Sequence, residues 1–278
     1  MKPAPFGYER PRNLDAALSA LATANGSAKI IAGGQSLGPM LNLRLVRPEL
    51  VVDITGLAEL KQAELHDGEL VLGALVTHAD IEDGRTADVT RGAMRGVAAN
   101  IAYRAVRNRG TIGGALSHAD PAADWISALA ALGARLTLRS LGGVRTMAVE
   151  AFVVGALESA LHADEIVEAV HVPARAGSAH WGYAKSCRKT GEFAHAIGAV
   201  LVDPAAAAAR VVIGAIDTAP IVVTDAAELF GGRVAADYKQ RFDARVADAL
   251  LLEAGISDPA QRHIHVSVLR RAVREAAA

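Results

Sequence analysis

Cysteine is nearly missing from this chain: Cys187 is the only one. That excludes an internal disulfide framework and any iron–sulfur cluster ligated by this chain alone. Aromatic residues make up only 4% of the sequence, and no uninterrupted apolar run reaches the roughly 18 residues of a membrane span. The opening MKPAPFGYERP lacks the apolar core of a secretory signal. A net charge of −1 over 278 residues supplies no global field for nucleic acid or an acidic membrane. No GxGxxG follows the first strand-like run, which disfavours a Rossmann-type dinucleotide site. His263 and His265 stand two apart in a helical pattern, on different faces, so no two-histidine metal site is expected there. What these absences leave is a soluble cytoplasmic α/β-type chain, half apolar and long enough for two domains.

Two glycine-rich junctions stand out. Lys29 to Pro39 reads KIIAGGQSLGP, and Val106 to Asp124 reads VRNRGTIGGALSHADPAAD. In each, apolar or helical sequence runs into paired glycines and small polar residues. Glycine has no Cβ, so backbone N–H groups at such a junction approach an anion closely. Two junctions about 80 residues apart suggest one long ligand or two phosphates; ordinary strand-to-helix turns remain the alternative for each.

In chain order, Asn13 to Ala24 predicts a capped helix, Lys29 to Ala32 a strand, then a helix through Leu45 and a strand from Leu50 to Ile54. Glu69 to Val76 reads as a strand and Thr77 as a helix cap. Val89 to Val106 predicts one long helix. Pro121 predicts the first residue of a helix through Leu132, with Asp120 as its cap. Ala134 to Arg139, Val144 to Val149 and Glu165 to Val172 are strand-like. After a connection near 174–179, three strand-like runs (Trp181 to Cys187, Ala194 to Val202, Arg210 to Asp217) precede helical stretches at about 235–254 and 259–276. Strands followed by helices point to a separate α+β domain.

The pair AGGQSL and VRNRGTIGG, with FGYERP, ADPAAD, DEIVEAVHVP and YAKSCRKTGEFAHA in this order, resembles the flavoprotein (medium) subunit of molybdenum hydroxylases. These are the relatives of xanthine dehydrogenase and aerobic carbon monoxide dehydrogenase, and HADPAAD and GEFAHA resemble the carbon monoxide dehydrogenase branch. The resemblance implies an α+β protein. Its FAD-binding domain of PCMH type would cover residues 1–173, in two α/β subdomains of about 1–56 and 57–173. A C-terminal domain of a three-stranded antiparallel sheet plus helices would follow over 178–278.

Carried over by position, non-covalent FAD would be held by Lys29, Ile30, Ile31, Ala32, Gly33, Gly34, Gln35, Ser36 and Leu37, and by Gly110, Thr111, Ile112, Gly113 and Gly114. Asp124 would take a sugar- or adenine-side hydrogen bond. Ile166 and Val167 would lie around the flavin with Lys185 near it, and Phe193 would stack on the flavin or shield one face, a core Phe starting a strand being the alternative. Where many relatives have Asn after TIGG, this chain has Ala115, which Ser117 or His118 would compensate. The family also implies a large molybdenum-cofactor subunit and a small subunit with two [2Fe–2S] clusters, as a dimer of heterotrimers, membrane-associated if at all through that complex. Electrons would pass from those clusters to FAD and on to an external acceptor, with no indispensable catalytic side chain on this chain. A structural or regulatory module with little FAD, or a covalent-flavin oxidase of the same broad fold, stays open at this stage. The cluster Arg104, Arg107 and Arg109 reads as a solvated helix end or a docking patch, and Cys187 as a buried apolar residue.

Overall fold

The computed structural model describes residues 2–277. Its first sheet is small and parallel. It is formed by β1 (Gly7–Glu9), β2 (Ala28–Ile31) and β3 (Leu50–Asp53) in the order β1-β3-β2, with α1 (Leu14–Ala24) and α2 (Leu37–Asn42) in the connections. Asn13 caps α1 by accepting from Ala16 N at 2.9 Å, and Asn25 ends it in the left-handed region. Leu14, Ala17, Leu18 and Leu21 recur at helical spacing and bury against Val52, Ile54 and Leu57.

The second sheet is entirely antiparallel. Its strands are β4 (Ala63–His66), β5 (Glu69–Gly73), β6 (Arg135–Ser140) and β7 (Gly143–Ala148), with β10 (Ile166–Pro173) inserted centrally to give β4-β5-β10-β6-β7. Between β5 and β6 run α3 (His78–Glu82), α4 (Ala93–Ala99), α5 (Arg104–Arg107), α6 (Ile112–His118) and α7 (Asp124–Ala131). The short α8 (Val149–Phe152) and the two-stranded β8 (Val153–Gly155) and β9 (Glu158–Ser159) lead back to β10. Leu70, Leu72, Leu136, Leu138, Val170 and Val172 meet α4, α6 and α7 in one core.

Three expectations fail here, each for a local reason. The single helix expected over 89–106 is two helices, because the chain breaks at 100–103, where Ala102 has φ 40°. The helix expected from Pro121 starts at Asp124 instead; Asp120 accepts from Ala122 N and closes a turn before it. TIGGALSH, expected as a turn, is α6, with both glycines in its first turn. The edge strand β4 carried no clear alternation and was not foreseen.

The third sheet is antiparallel, in the order β11 (His180–Ser186), β12 (Ala196–Asp203), β13 (Ala208–Gly214), β14 (Ile221–Val223). The three expected strands are thus extended by a short fourth. Helices α9 (Tyr238–Arg241), α10 (Ala244–Glu253) and α11 (Pro259–Glu275) complete the unit, α11 lying on β11 and β12. Gly182 and Gly198 permit that contact: a Cβ at 182 would overlap the Ala272 carbonyl oxygen, and one at 198 would come within 2.8 Å of Leu269 Cα. His265 is buried on α11 and His263 exposed, as their spacing requires. Among the described residues, no helix is long and apolar enough to cross a membrane.

Because the Ala272 carbonyl is backbone and cannot swing aside, Gly182→Ala is expected to destabilise the chain by about 1–3 kcal/mol. The urea midpoint should fall with the slope unchanged.

Candidate functional site

The first glycine junction leaves β2 at Ile31 and enters α2 at Leu37. Gly34 turns the chain with φ +71°. Among the described residues, the backbone N–H groups of Gly33, Gly34, Gln35, Ser36 and Leu37 find no acceptor. The carbonyls are occupied: Gly34 O accepts from Gly38 N at 3.0 Å and Ser36 O from Met40 N at 3.1 Å. The carbonyl of Gly33 accepts from Gln35 Nε2 at 3.1 Å and Arg109 Nε at 3.3 Å. Five successive free donors, with the Gln35 and Ser36 side chains exposed beside them, form a turn of the kind that suits an anion. Lys29 is exposed on β2, while Ile30, Ile31, Ala32 and Leu37 are half-buried supports.

The second junction is organised differently. Gly110 O accepts from His78 N at 2.9 Å, Ile112 N donates to Val76 O at 3.0 Å, and Gly113 N donates to Ala74 O at 3.0 Å. Gly114 N is taken by the Thr111 hydroxyl, which caps α6 at 3.1 Å. Of the five N–H groups from 110 to 114, only that of Thr111 is left without an acceptor among the described residues. A Cβ on Gly113 would overlap Ala74, so glycine there answers to core packing rather than to phosphate approach. Ile112 is fully buried core. Ser117, one of the two residues expected to compensate for Ala115, donates its hydroxyl to Gly113 O at 2.8 Å.

The two junctions touch. A Cβ on Gly33 would overlap the Arg109 carbonyl oxygen and come within 3.0 Å of Gly110 Cα, and Ala32 lies beneath Gly114. Beside Gly110 stands the buried His78, whose Nδ1 accepts from Trp125 Nε1 at 3.0 Å. Burial, and then the Arg107 charge, push the His78 pKa down to about 4, so the ring is neutral and keeps that bond. The basic cluster is largely spent internally: Arg104 pairs with Glu82 and Asp83, and Arg107 with Glu82. Cys187 is half-buried rather than buried.

A second group gathers where α7 meets β11. Asp124, 8% exposed, accepts at one oxygen from Lys185 Nζ at 2.8 Å and from the Tyr183 hydroxyl at 2.6 Å. Lys185 also donates to the Asn100 carbonyl at 2.8 Å. Asp124 and Lys185, assigned from sequence to the sugar–adenine side and the flavin, therefore occupy one place and cannot serve opposite ends of a ligand. Phe193 is 68% exposed on the loop between β11 and β12, the loop whose Gly191 packs against the Tyr103 ring. Ile166 and Val167 are buried in β10, between the first and second cores. Tyr183, Asn100 and Arg109 were missed, because the sequence carries no signal for contacts across 59 to 85 residues.

Residues 4–175 match the family described as FAD binding domain in molybdopterin dehydrogenase. The chain belongs to that family. A curated relative, the caffeine dehydrogenase subunit beta of Pseudomonas sp. (strain CBB1), is 36% identical over 203 residues, covering 73% of this chain and 69% of that one. Among solved structures, a chain of carbon monoxide dehydrogenase from Hydrogenophaga pseudoflava superposes with TM-score 0.88 at 27% identity, covering 99% of this chain and 98% of that one. A chain of quinoline 2-oxidoreductase from Pseudomonas putida 86 gives TM-score 0.82 at 30% identity, covering 99% of each. As a member of the FAD-binding domain family, this chain carries the fold of the carbon monoxide dehydrogenase medium subunit, third sheet included.

Two outcomes follow for the second junction. Gly113→Val is expected to destabilise the ligand-free protein by about 1–3 kcal/mol or more, read as a lower melting temperature with no cofactor added. For His78, the folded protein holds the proton less tightly than the unfolded chain. Its contribution is complete above pH 6.5 and falls by roughly 3 kcal/mol as pH drops towards 4. Urea titrations of His78→Gln, which keeps an acceptor for Trp125, should show a shallower loss across that range; an unchanged slope would clear His78 of the effect.

Proposed function

We propose that this chain is the FAD-carrying electron-transfer subunit of a molybdenum hydroxylase. In this reading it receives electrons from [2Fe–2S] clusters of a small partner subunit. Those electrons originate at the molybdenum cofactor of a large subunit, and this chain releases them to an external acceptor. The supporting observation is the run of five N–H groups from Gly33 to Leu37 without acceptors among the described residues, held against Arg109–Gly110 of the connection between α5 and α6. A pyrophosphate is an anion of the right kind for that turn. It is accommodated by neutral donors, in keeping with a chain of net charge −1.

Bound FAD supplies chemistry the protein lacks, accepting electrons singly or in pairs. The chain's own residues bind and orient. Gly33 to Leu37 would take the diphosphate, joined by the Thr111 N–H from the second junction. Asp124 and Lys185 would fix one polar edge of the cofactor together, and Phe193 would cover a face of the flavin. Because the substrate would meet molybdenum on another subunit, substrate choice is assigned to that subunit and not to this chain.

The purified protein is expected to be yellow, with flavin bands at about 375 and 450 nm that pass into the supernatant on acid precipitation. A colourless protein that also fails to take up added FAD would refute the reading, and colour retained in the pellet would mean covalent flavin. Gly33→Ala should cost at least about tenfold in FAD affinity while circular dichroism stays native, since its Cβ parts the two junctions. Full FAD occupancy in that variant would remove the first junction from the site.

A further inference from the structure

Tyr183 and Lys185 are two apart on β11 and so project from the same face. Both donate to the same oxygen of Asp124, Oδ1, which leaves Oδ2 without a hydrogen bond among the described residues. An ionised carboxylate has about four acceptor sites, and this one is more than nine-tenths buried. The Tyr183 ring cannot swing away freely. It stacks on Trp181 with centroids 6.3 Å apart and planes 8° from parallel, and it packs against the core of the second sheet. Burial first, and then the Asp124 charge, hold its hydroxyl well above its ordinary pKa, so it remains a donor at any working pH.

We propose that Tyr183 is a positioning residue for the cofactor: sharing Oδ1 with Lys185, it locks the Asp124 carboxylate so that Oδ2 alone is presented to an N–H of bound FAD. The inference rests on the FAD reading above. Lys185 is anchored a second time on the Asn100 carbonyl, so Lys185 holds the charge in place. The tyrosine sets the rotation of the carboxylate about its own axis. Without the hydroxyl, Oδ1 and Oδ2 compete for the lysine, and the acceptor is no longer directional.

The test is FAD affinity of the full chain, measured by quenching of flavin fluorescence in the wild type, Tyr183→Phe, Asp124→Asn and the double variant. Tyr183→Phe keeps the ring and its stack, and its melting temperature should stay within a few degrees of the wild type. Its Kd for FAD should rise about tenfold, the scale of one hydrogen bond to a charged group. The double variant should bind within about twofold of Asp124→Asn alone, because the tyrosine acts only through that carboxylate. Unchanged affinity in Tyr183→Phe, or losses that simply multiply in the double variant, would overturn the proposal. A wild type that takes up no FAD would instead sink the reading beneath it. ADP, which lacks the flavin ring, serves as a parallel probe under the same proposal. A penalty for FAD alone places the N–H on the ring, and an equal penalty for ADP places it on the adenine half.

Discussion

The contact between Gly33 and the Arg109 carbonyl holds the site together. It joins the loop after the parallel sheet to the helical connection over the antiparallel one, at a separation that leaves no room for a Cβ. On one side of it lie donors with nothing to donate to; on the other lies a segment whose donors are all but one engaged. Five neighbouring N–H groups left unpaired are a cost to a folded chain unless water or a ligand satisfies them. The second sheet absorbs none of that cost. It contributes rigidity, through Thr111 capping α6 and through bonds from His78, Ile112 and Gly113 that tie the junction to its neighbours.

The third unit is more than an appendage to the FAD-binding region matched over 4–175. Ala215 N donates to Pro121 O at 3.0 Å, and Arg210 donates to the Ala130 carbonyl at 2.6 Å and pairs with Glu150. A Cβ on Gly214 would overlap the Ser127 hydroxyl, so β13 packs directly on α7. This docking brings Tyr183 and Lys185 to Asp124. The polar corner of the site is therefore assembled from two units, and neither holds it alone.

Local chemistry was legible in the sequence. Asn13, Thr77 and Asn25-Gly26 punctuate the helices where capping rules place them, and three strands of the last unit fall where strand-like runs with short polar connections put them. Both glycine junctions were legible as well. What was not legible is how they differ. TIGGALSH has the composition of a turn, yet Thr111 caps it as the start of a helix whose Gly113 packs against Ala74. Likewise nothing local marks the break at Ala102, or sends Tyr183 across 59 residues to Asp124. Sequence distance hides partners whose meeting depends on the completed packing.

The two glycine junctions of one recognisable pattern thus differ in the donors they leave free. Gly113 is required by the core whether or not anything binds, since Ala74 occupies the space a side chain would need. The 33–37 turn carries the unsatisfied donors, and the fold around it closes without their help. A chain of this fold that had ceased to bind a dinucleotide would still need glycine at 33 and at 113. It would be free to alter Gln35 and Ser36, whose side chains face solvent. In this chain AGGQS is intact alongside TIGG. Within the pattern, Gln35 and Ser36, which the packing does not demand, therefore speak for a ligand together with the free N–H groups beside them.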